Sequence, residues 1–289
     1  MRDIEVSESA IENRQLEISK LQSDAPIGIF DSGVGGLTVF RAIERRLPRE
    51  SLVYLGDTAR IPYGVRSPAT VQRYALECAS FVRAKGVKAI VIACNTASAV
   101  AAAFLREQCS VPVLGVIGPG SRRAVEKTRN GHIGVIATEA TVASGAYERA
   151  MLAIRNGLEI KSRACPLFVP LAEEGWLNHA VTRQVAEEYL AELRSSRVDT
   201  LVLGCTHYPI LRPVIEDTMG ADVNFIDSGL AVADEVAKLL EERGLARTNG
   251  DSPSQEFYVT DSAARFRRVA ELFLGRPLES VETVELGTV

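Results

Sequence analysis

Ala89-Ile90-Val91-Ile92-Ala93-Cys94-Asn95-Thr96 and Thr200-Leu201-Val202-Leu203-Gly204-Cys205-Thr206-His207-Tyr208-Pro209 share one pattern, a short run of branched apolar residues that ends at a thiol. Such runs suit strands buried on both faces, the condition of a parallel sheet covered by helices. Around them, strand and helix patterns alternate. Ile27-Gly28-Ile29-Phe30 leads through Asp31-Ser32-Gly33-Val34-Gly35-Gly36 into a helical pattern over 37–47, and a second strand over 52–55 ends at Gly56-Asp57. Ser67 and Pro68 open a helix to about residue 85, with Ser as N-cap, Pro at the first helical position and Gly86 as the stop. An alanine-rich helix over about 98–108 and a strand over 111–116 follow Cys94. This alternation predicts an α/β fold with parallel sheets.

The order then repeats. Gly28-Ile29-Phe30-Asp31 corresponds to Gly134-Val135-Ile136-Ala137, Pro62 to Pro170, and Cys94 to Cys205, all at nearly one offset. That offset is far longer than a solenoid repeat and indicates a duplicated domain. The expected architecture is therefore two similar parallel-sheet α/β domains related by pseudo-two-fold symmetry. The active site belongs in the cleft between them, beyond the carboxyl ends of the strands. The expected divisions are an N-terminal extension over 1–24, a first domain over 25–116 plus 228–289, and a second over 117–227. In the extension, Ile4, Ile11, Ile18 and Leu21 fit either a short amphipathic helix or a tail. Near the other end, residues 247–255 read as a linker and 257–260 as an edge strand. Asp261 or Ser262 should cap a last helix with Phe266, Val269, Ala270 and Phe273 on one face, a tail of packing without chemistry.

Composition narrows the function. Of 289 residues, 46% are apolar and 24% charged, so each domain can bury a core. The net charge is -4 and the basic residues are dispersed, which argues against a nucleic-acid partner. The longest apolar-looking segment, 89–105, is broken by Cys94, Asn95, Thr96 and Ser98, so no membrane span is expected. Residues 1–24 lack the apolar core of a secretory signal, which points to the cytoplasm. Five widely spaced cysteines without a C-x-x-C pair read as reduced thiols.

A single buried cysteine is usually inert filler. Cys94 and Cys205, however, occupy matching strand ends, each before small polar residues and a helix start whose N–H groups and dipole favour a thiolate. Cys78, Cys109 and Cys165 lack that setting and read as structural. Asp31, at a strand end before a glycine loop, lacks the second aspartate of a phosphatase motif, because Gly33 stands there. It reads as a general base or orienting group beside one thiol, or as a helix cap. The loop itself offers N–H groups suited to a carboxylate or phosphate. His207, and one of Glu173 and Glu174, can serve the second thiol, whereas His132, at a strand start, and His179, in a helical stretch, read as structural. Cys205 and His207 are too few for a metal site, and Lys85 and Lys88 lie at the wrong strand end for a pyridoxal Schiff base. No metal or cofactor is expected. Two opposed thiols can invert a carbon centre, one removing a proton from one face while the other delivers a proton to the opposite face.

Phe30-Asp31-Ser32-Gly33-Val34-Gly35-Gly36, Pro62-Tyr63-Gly64, Ala93-Cys94-Asn95-Thr96-Ala97-Ser98 and Gly204-Cys205-Thr206-His207-Tyr208-Pro209 together resemble the glutamate racemases of the cofactor-independent aspartate/glutamate racemase family. The resemblance covers nearly all of the chain after about Ala25 and includes both thiols, unlike the one-cysteine decarboxylase relatives. It implies interconversion of L- and D-glutamate, supplying D-glutamate for peptidoglycan. It implies that Cys94 deprotonates D-glutamate with help from Asp31, and Cys205 deprotonates L-glutamate with help from Glu173 and His207. By the same resemblance Asp31, Ser32, Tyr63, Gly64, Asn95, Thr96, Thr206 and His207 contact substrate, joined by Thr138 and Thr141. It further implies a homodimer, and the 1–24 extension resembles that of members activated by a cell-wall precursor nucleotide. One departure is Val116-Ile117 before the Gly118-Pro119-Gly120 turn, where many members carry an aspartate. An aspartate-specific two-thiol racemase, and a catalytically silent amino-acid-binding or protein-inhibiting protein, are the alternatives.

Overall fold

Parallel pairing buries both faces of a strand, and this explains why the strands read as unbroken apolar runs. The computed structural model describes residues 22–287, and the expected helix carrying Ile4, Ile11, Ile18 and Leu21 lies outside them. The chain runs through β1 (Ile27–Asp31), α1 (Leu37–Arg46), β2 (Leu52–Gly56), α2 (Pro68–Ala84), β3 (Ala89–Ile92), α3 (Asn95–Gln108) and β4 (Val113–Gly115). It continues through α4 (Ile117–Lys127), β5 (His132–Ala137), α5 (Glu139–Ala143), α6 (Ala146–Ile154), β6 (Glu159–Ala164), α7 (Phe168–Glu173), α8 (Ala180–Ser195), β7 (Thr200–Gly204), α9 (Arg212–Met219) and β8 (Asn224–Asp227). It ends with α10 (Ser228–Glu242), β9 (Gln255–Val259), α11 (Ala263–Leu274) and β10 (Glu282–Thr283).

Two all-parallel sheets result, ordered β10-β9-β2-β1-β3-β4 and β6-β5-β7-β8. The segment β2-β1-β3-β4 has the same order as β6-β5-β7-β8, which makes the two halves topological copies. In each copy the chain leaves the first strand for one neighbour and crosses back to the other, so a crevice opens between first and third strands at their carboxyl ends. Register places the thiols there. Phe30 pairs with Ile92 just before Ser32 and Cys94, and Ala137 pairs with Gly204 just before Thr138 and Cys205. The halves share a core, since one cluster of buried apolar side chains runs from Leu37 and Phe40 of α1 to Leu203 of β7 and on to Tyr208.

Local chemistry sets most boundaries where expected. The Ser67 hydroxyl accepts the Thr70 N–H at 3.3 Å with Pro68 opening α2, and Gly86 beyond its end has φ of +72°. Several boundaries differ. The alanine-rich helix starts three residues early, at Asn95, because Cys94 is its N-cap. Gly118-Pro119-Gly120 is no turn but the first turn of α4, where a proline costs nothing because those N–H groups have no intrahelical partner. β9 is covered on its outer side by β10 and is not an edge strand. Neither Asp261 nor Ser262 caps α11 through a side chain; Ser262 instead adopts a left-handed conformation with φ of 44°. His179 precedes α8 and accepts the Val181 N–H at 3.2 Å. Pro62 lies just before a short 3-10 turn whereas Pro170 lies within α7, so that pair of landmarks matches in order and not in conformation.

A buried ion pair ties the amino ends of the first sheet to the returning chain. Lys88 Nζ donates to the Glu50 carboxylate, to the Leu245 carbonyl at 2.9 Å and to the Ser23 carbonyl at 2.6 Å, while Glu50 accepts the Arg247 N–H at 2.9 Å. Removing one partner strands the other charge out of water. Glu50→Ala is expected to lower unfolding free energy by about 3 kcal/mol or more, read as a lower urea midpoint at unchanged denaturant slope.

Candidate active site

The crevices of the two halves face one cavity of about 340 Å³, a volume usual for small-molecule sites. Cys94 and Cys205 both line it, and they are only 5% and 6% exposed. Ser32, Asn95 and Thr96 join from the first half, and Thr138, Thr206 and His207 from the second. A larger groove of about 820 Å³ at the free edge of β8 holds no thiol, so size alone does not mark the site.

On the first side, Cys94 donates to Ser32 Oγ at 3.5 Å and its sulfur accepts the Ala97 N–H at 3.4 Å as N-cap of α3. The expectation that a helix start would lower this thiol fails. Burial, and next the negative charge of Asp31, push Cys94 up to about 12, outweighing the bonds to Ser32 and Ala97, and Cys205 acts in the same upward direction. Asp31 is wholly buried behind the loop and does not line the cavity. Its Oδ2 accepts the Gly33 N–H at 2.9 Å, while Oδ1 has no hydrogen-bond partner among the described residues. Burial raises its carboxyl above the ordinary range, against the lowering effect of His207 and of the backbone N–H groups nearby. The Gly33 N–H is thus committed to Asp31 and is not free for a bound anion.

On the second side, His207 Nδ1 lies 3.8 Å from the Cys205 sulfur and Nε2 lies 3.0 Å from Glu173 Oε1. Burial disfavours the imidazolium, but the bonds to Cys205 and Glu173 together hold His207 up at about 10. Burial likewise opposes the Glu173 carboxylate, yet the bond to His207, with the charges of His207 and Arg265, holds it below its usual value. The other carboxylate oxygen of Glu173 is 3.6 Å from Arg265 of α11, and the His207 ring meets Phe273 edge-on at 5.4 Å. The C-terminal helix therefore reaches the site, contrary to its reading as packing alone. Glu174 is exposed, and of the two adjacent glutamates it is Glu173 that lies against His207.

The glycine loop brings the halves together. A Cβ on Gly35 would stand 2.4 Å from both His207 Nδ1 and Thr206 Oγ1, and the Thr38 hydroxyl donates to the Thr206 carbonyl at 2.9 Å. Between the halves, Thr96 meets Thr138 at 2.9 Å and Thr141 at 3.1 Å; Thr141 is buried and does not line the cavity. Tyr63 and Gly64 line one wall of the cavity, and the Tyr63 hydroxyl donates to Asp57. Sequence reasoning missed Tyr147, whose hydroxyl lies 2.7 Å from both Asn95 Oδ1 and Ser228 Oγ. An aromatic on an amphipathic helix reads as core, and no local signal reveals its partners. Among the described residues, no group of three or more His, Cys, Asp or Glu side chains could hold a metal ion, and no helix is long and apolar enough to cross a membrane.

Residues 27–236 match the Asp/Glu/Hydantoin racemase family. The chain is 51% identical over 260 residues to the glutamate racemase of Geobacter metallireducens, covering 90% of this chain and 96% of that one. Its fold is similar to that of the Francisella tularensis glutamate racemase in complex with D-glutamate, with a TM-score of 0.86, 40% identity, and coverage of 92% and 100% of the two chains. It is also similar to the Escherichia coli glutamate racemase in complex with L-glutamate and the activator UDP-MurNAc-ala, with a TM-score of 0.73, 30% identity, and coverage of 90% and 98%.

The charge state of His207 can be read directly. Its folded value of about 10 lies above the ordinary 6.5, so its stabilisation is complete below pH 6.5 and is lost as pH rises through 10. Glu173→Gln is expected to move the His207 titration, followed by NMR, to lower pH and to flatten the loss of stability between those limits.

Proposed function

The chain belongs to the Asp/Glu/Hydantoin racemase family and interconverts L- and D-glutamate, and we propose that it does so by proton transfer between substrate and the thiols of Cys94 and Cys205. The observation that carries this reading is the meeting of both thiols, one from each copy of the same strand, at a single cavity of substrate size.

For D-glutamate, Cys94 as thiolate takes the α-proton and becomes a thiol, while the Cys205 thiol gives its proton to the opposite face and becomes a thiolate. The product is L-glutamate, the proton count is unchanged, and the enzyme is left in the form that meets L-glutamate. Return in the other sense uses the same steps reversed. Because Cys94 is held up at about 12, its thiolate has to be made inside the site. The buried Asp31, whose negative charge raises Cys94 and whose own carboxyl is raised by burial, eases that ionisation when it is protonated. At Cys205 the help is a fixed positive charge, the His207 imidazolium held by Glu173. Ser32, Asn95, Thr96, Thr138 and Thr206 supply hydroxyl and amide groups for the substrate, with Tyr63 and Gly64 as wall, and Thr141 acts through its bonds to Thr96 and Thr138.

The same reading assigns the product to peptidoglycan synthesis in the cytoplasm. It divides the chain into a 25–116 plus 228–289 domain and a 117–227 domain, which the sheet membership of β9 and β10 supports. A homodimer and a cell-wall precursor nucleotide acting through residues 1–24 complete it, the latter supported by the activator bound to the Escherichia coli relative.

Purified protein treated with EDTA and incubated with L-glutamate in D2O is expected to lose optical rotation while taking up deuterium at the α-carbon. Cys94→Ala and Cys205→Ala are each expected to slow racemisation by at least about 100-fold. Parent-rate racemisation by either variant would falsify the two-thiol mechanism.

A further inference from the structure

The stretch that forms one wall of the cavity, Ile61 to Val65, is held from behind by charged groups that never face it. Asp57, at the end of β2, is wholly buried. Its Oδ2 accepts Arg60 Nε at 2.7 Å and the Tyr63 hydroxyl, its Oδ1 accepts the Thr260 hydroxyl at 2.9 Å, and its own N–H donates to the Asp31 carbonyl at 2.9 Å. Arg60 reaches on to the nearly buried Glu77 of α2 and lies 4.1 Å above the Tyr74 ring. Arg60 and Tyr63 are therefore tied to one carboxylate, with the cavity-lining Ile61 and Pro62 slung between them. At the far end of the wall, Gly64 approaches Thr138 of the other half so closely that a Cβ would stand 3.0 Å from the threonine Cβ.

Removing a guanidinium and two carboxylates from water is a poor route to stability, because apolar packing of similar volume does as well or better. What such a cluster supplies is geometry, since the planar fork of arginine fixes direction at both carboxylates where a lysine would contribute only a point charge. We propose that Arg60, clamped between Asp57 and Glu77, is a positioning residue that sets the depth of the glutamate pocket and with it the side-chain length the enzyme accepts. This rests on the cavity being the glutamate site.

The test is steady-state racemisation of glutamate by Glu77→Gln and Arg60→Lys, with aspartate and the one-methylene-longer 2-aminoadipate as competitive inhibitors. Either variant is expected to raise KM for glutamate by about tenfold with kcat within about twofold. Discrimination against 2-aminoadipate should fall by about tenfold, the scale of one methylene in a fitted pocket. If Arg60→Lys does not fold, Glu77→Gln and Thr260→Val, which removes one bond to Asp57, provide the same comparison. Loss of kcat in step with the folded fraction, at unchanged KM and unchanged discrimination, would overturn the proposal and leave the cluster structural. Absence of α-proton exchange with glutamate in the parent protein would instead overturn the reading of the site on which it rests.

Discussion

Two sulfur atoms share one buried cavity, and burial there favours the neutral thiol at Cys94. A charge on Cys205 adds to the cost of ionising Cys94, after burial and the charge of Asp31. The proposed transfer across a carbon centre needs one thiol and one thiolate, one at each face. Asp31 and Ser32 act on Cys94, and His207 lies against Cys205. Burial makes these groups matter, because in bulk water the same charges would be screened to a fraction of their effect.

Duplication gives the site two equivalent thiols but not two equivalent settings. Asp31, which ends β1, corresponds to Ala137 at the end of β5, so only the first half has a carboxyl in that place. Thr206 and His207 correspond to Asn95 and Thr96 only in part, and the imidazole has no counterpart beside Cys94. The first thiol thus has a buried neutralisable acid behind it, and the second an imidazolium braced by Glu173 and, more weakly, by the exposed Arg265. A symmetric fold meets a chiral substrate with chemically different faces.

The fold was legible because its signals are local. Apolar runs of four and five residues, Ser67-Pro68 and Gly86 state strand, cap and stop without reference to the rest of the chain. Strand β6 was not legible, since its Glu159, Lys161 and Ser162 face solvent at a sheet edge and break the apolar run that marks the buried strands. In the site, the thiols, Asp31 and His207 were legible by their positions at strand ends. What was not legible depends on long-range approach. Thr38 bonding to Thr206, Arg265 reaching Glu173 and Tyr147 joining Asn95 to Ser228 each link residues far apart in sequence, and no spacing rule encodes them. The Cys94 shift was misread for a related reason: helix-start N–H groups are visible in sequence, whereas the depth of burial that outweighs them belongs to the assembled halves.

The two sides of the cleft are joined by different forces. On one side the shared apolar core joins the halves, and a Cβ on Gly120 would stand 3.2 Å from Ser228 Oγ and 3.4 Å from the Tyr147 ring. Separation there would expose apolar area, at a cost that grows with every square ångström. Beside the cavity the joining groups are the Thr96, Thr138 and Thr141 hydroxyls. A hydroxyl that loses a protein partner to water or to a substrate carboxylate gives up only about 1 kcal/mol. The shared apolar core is therefore the costlier join to break, and the threonine hydroxyls the cheaper.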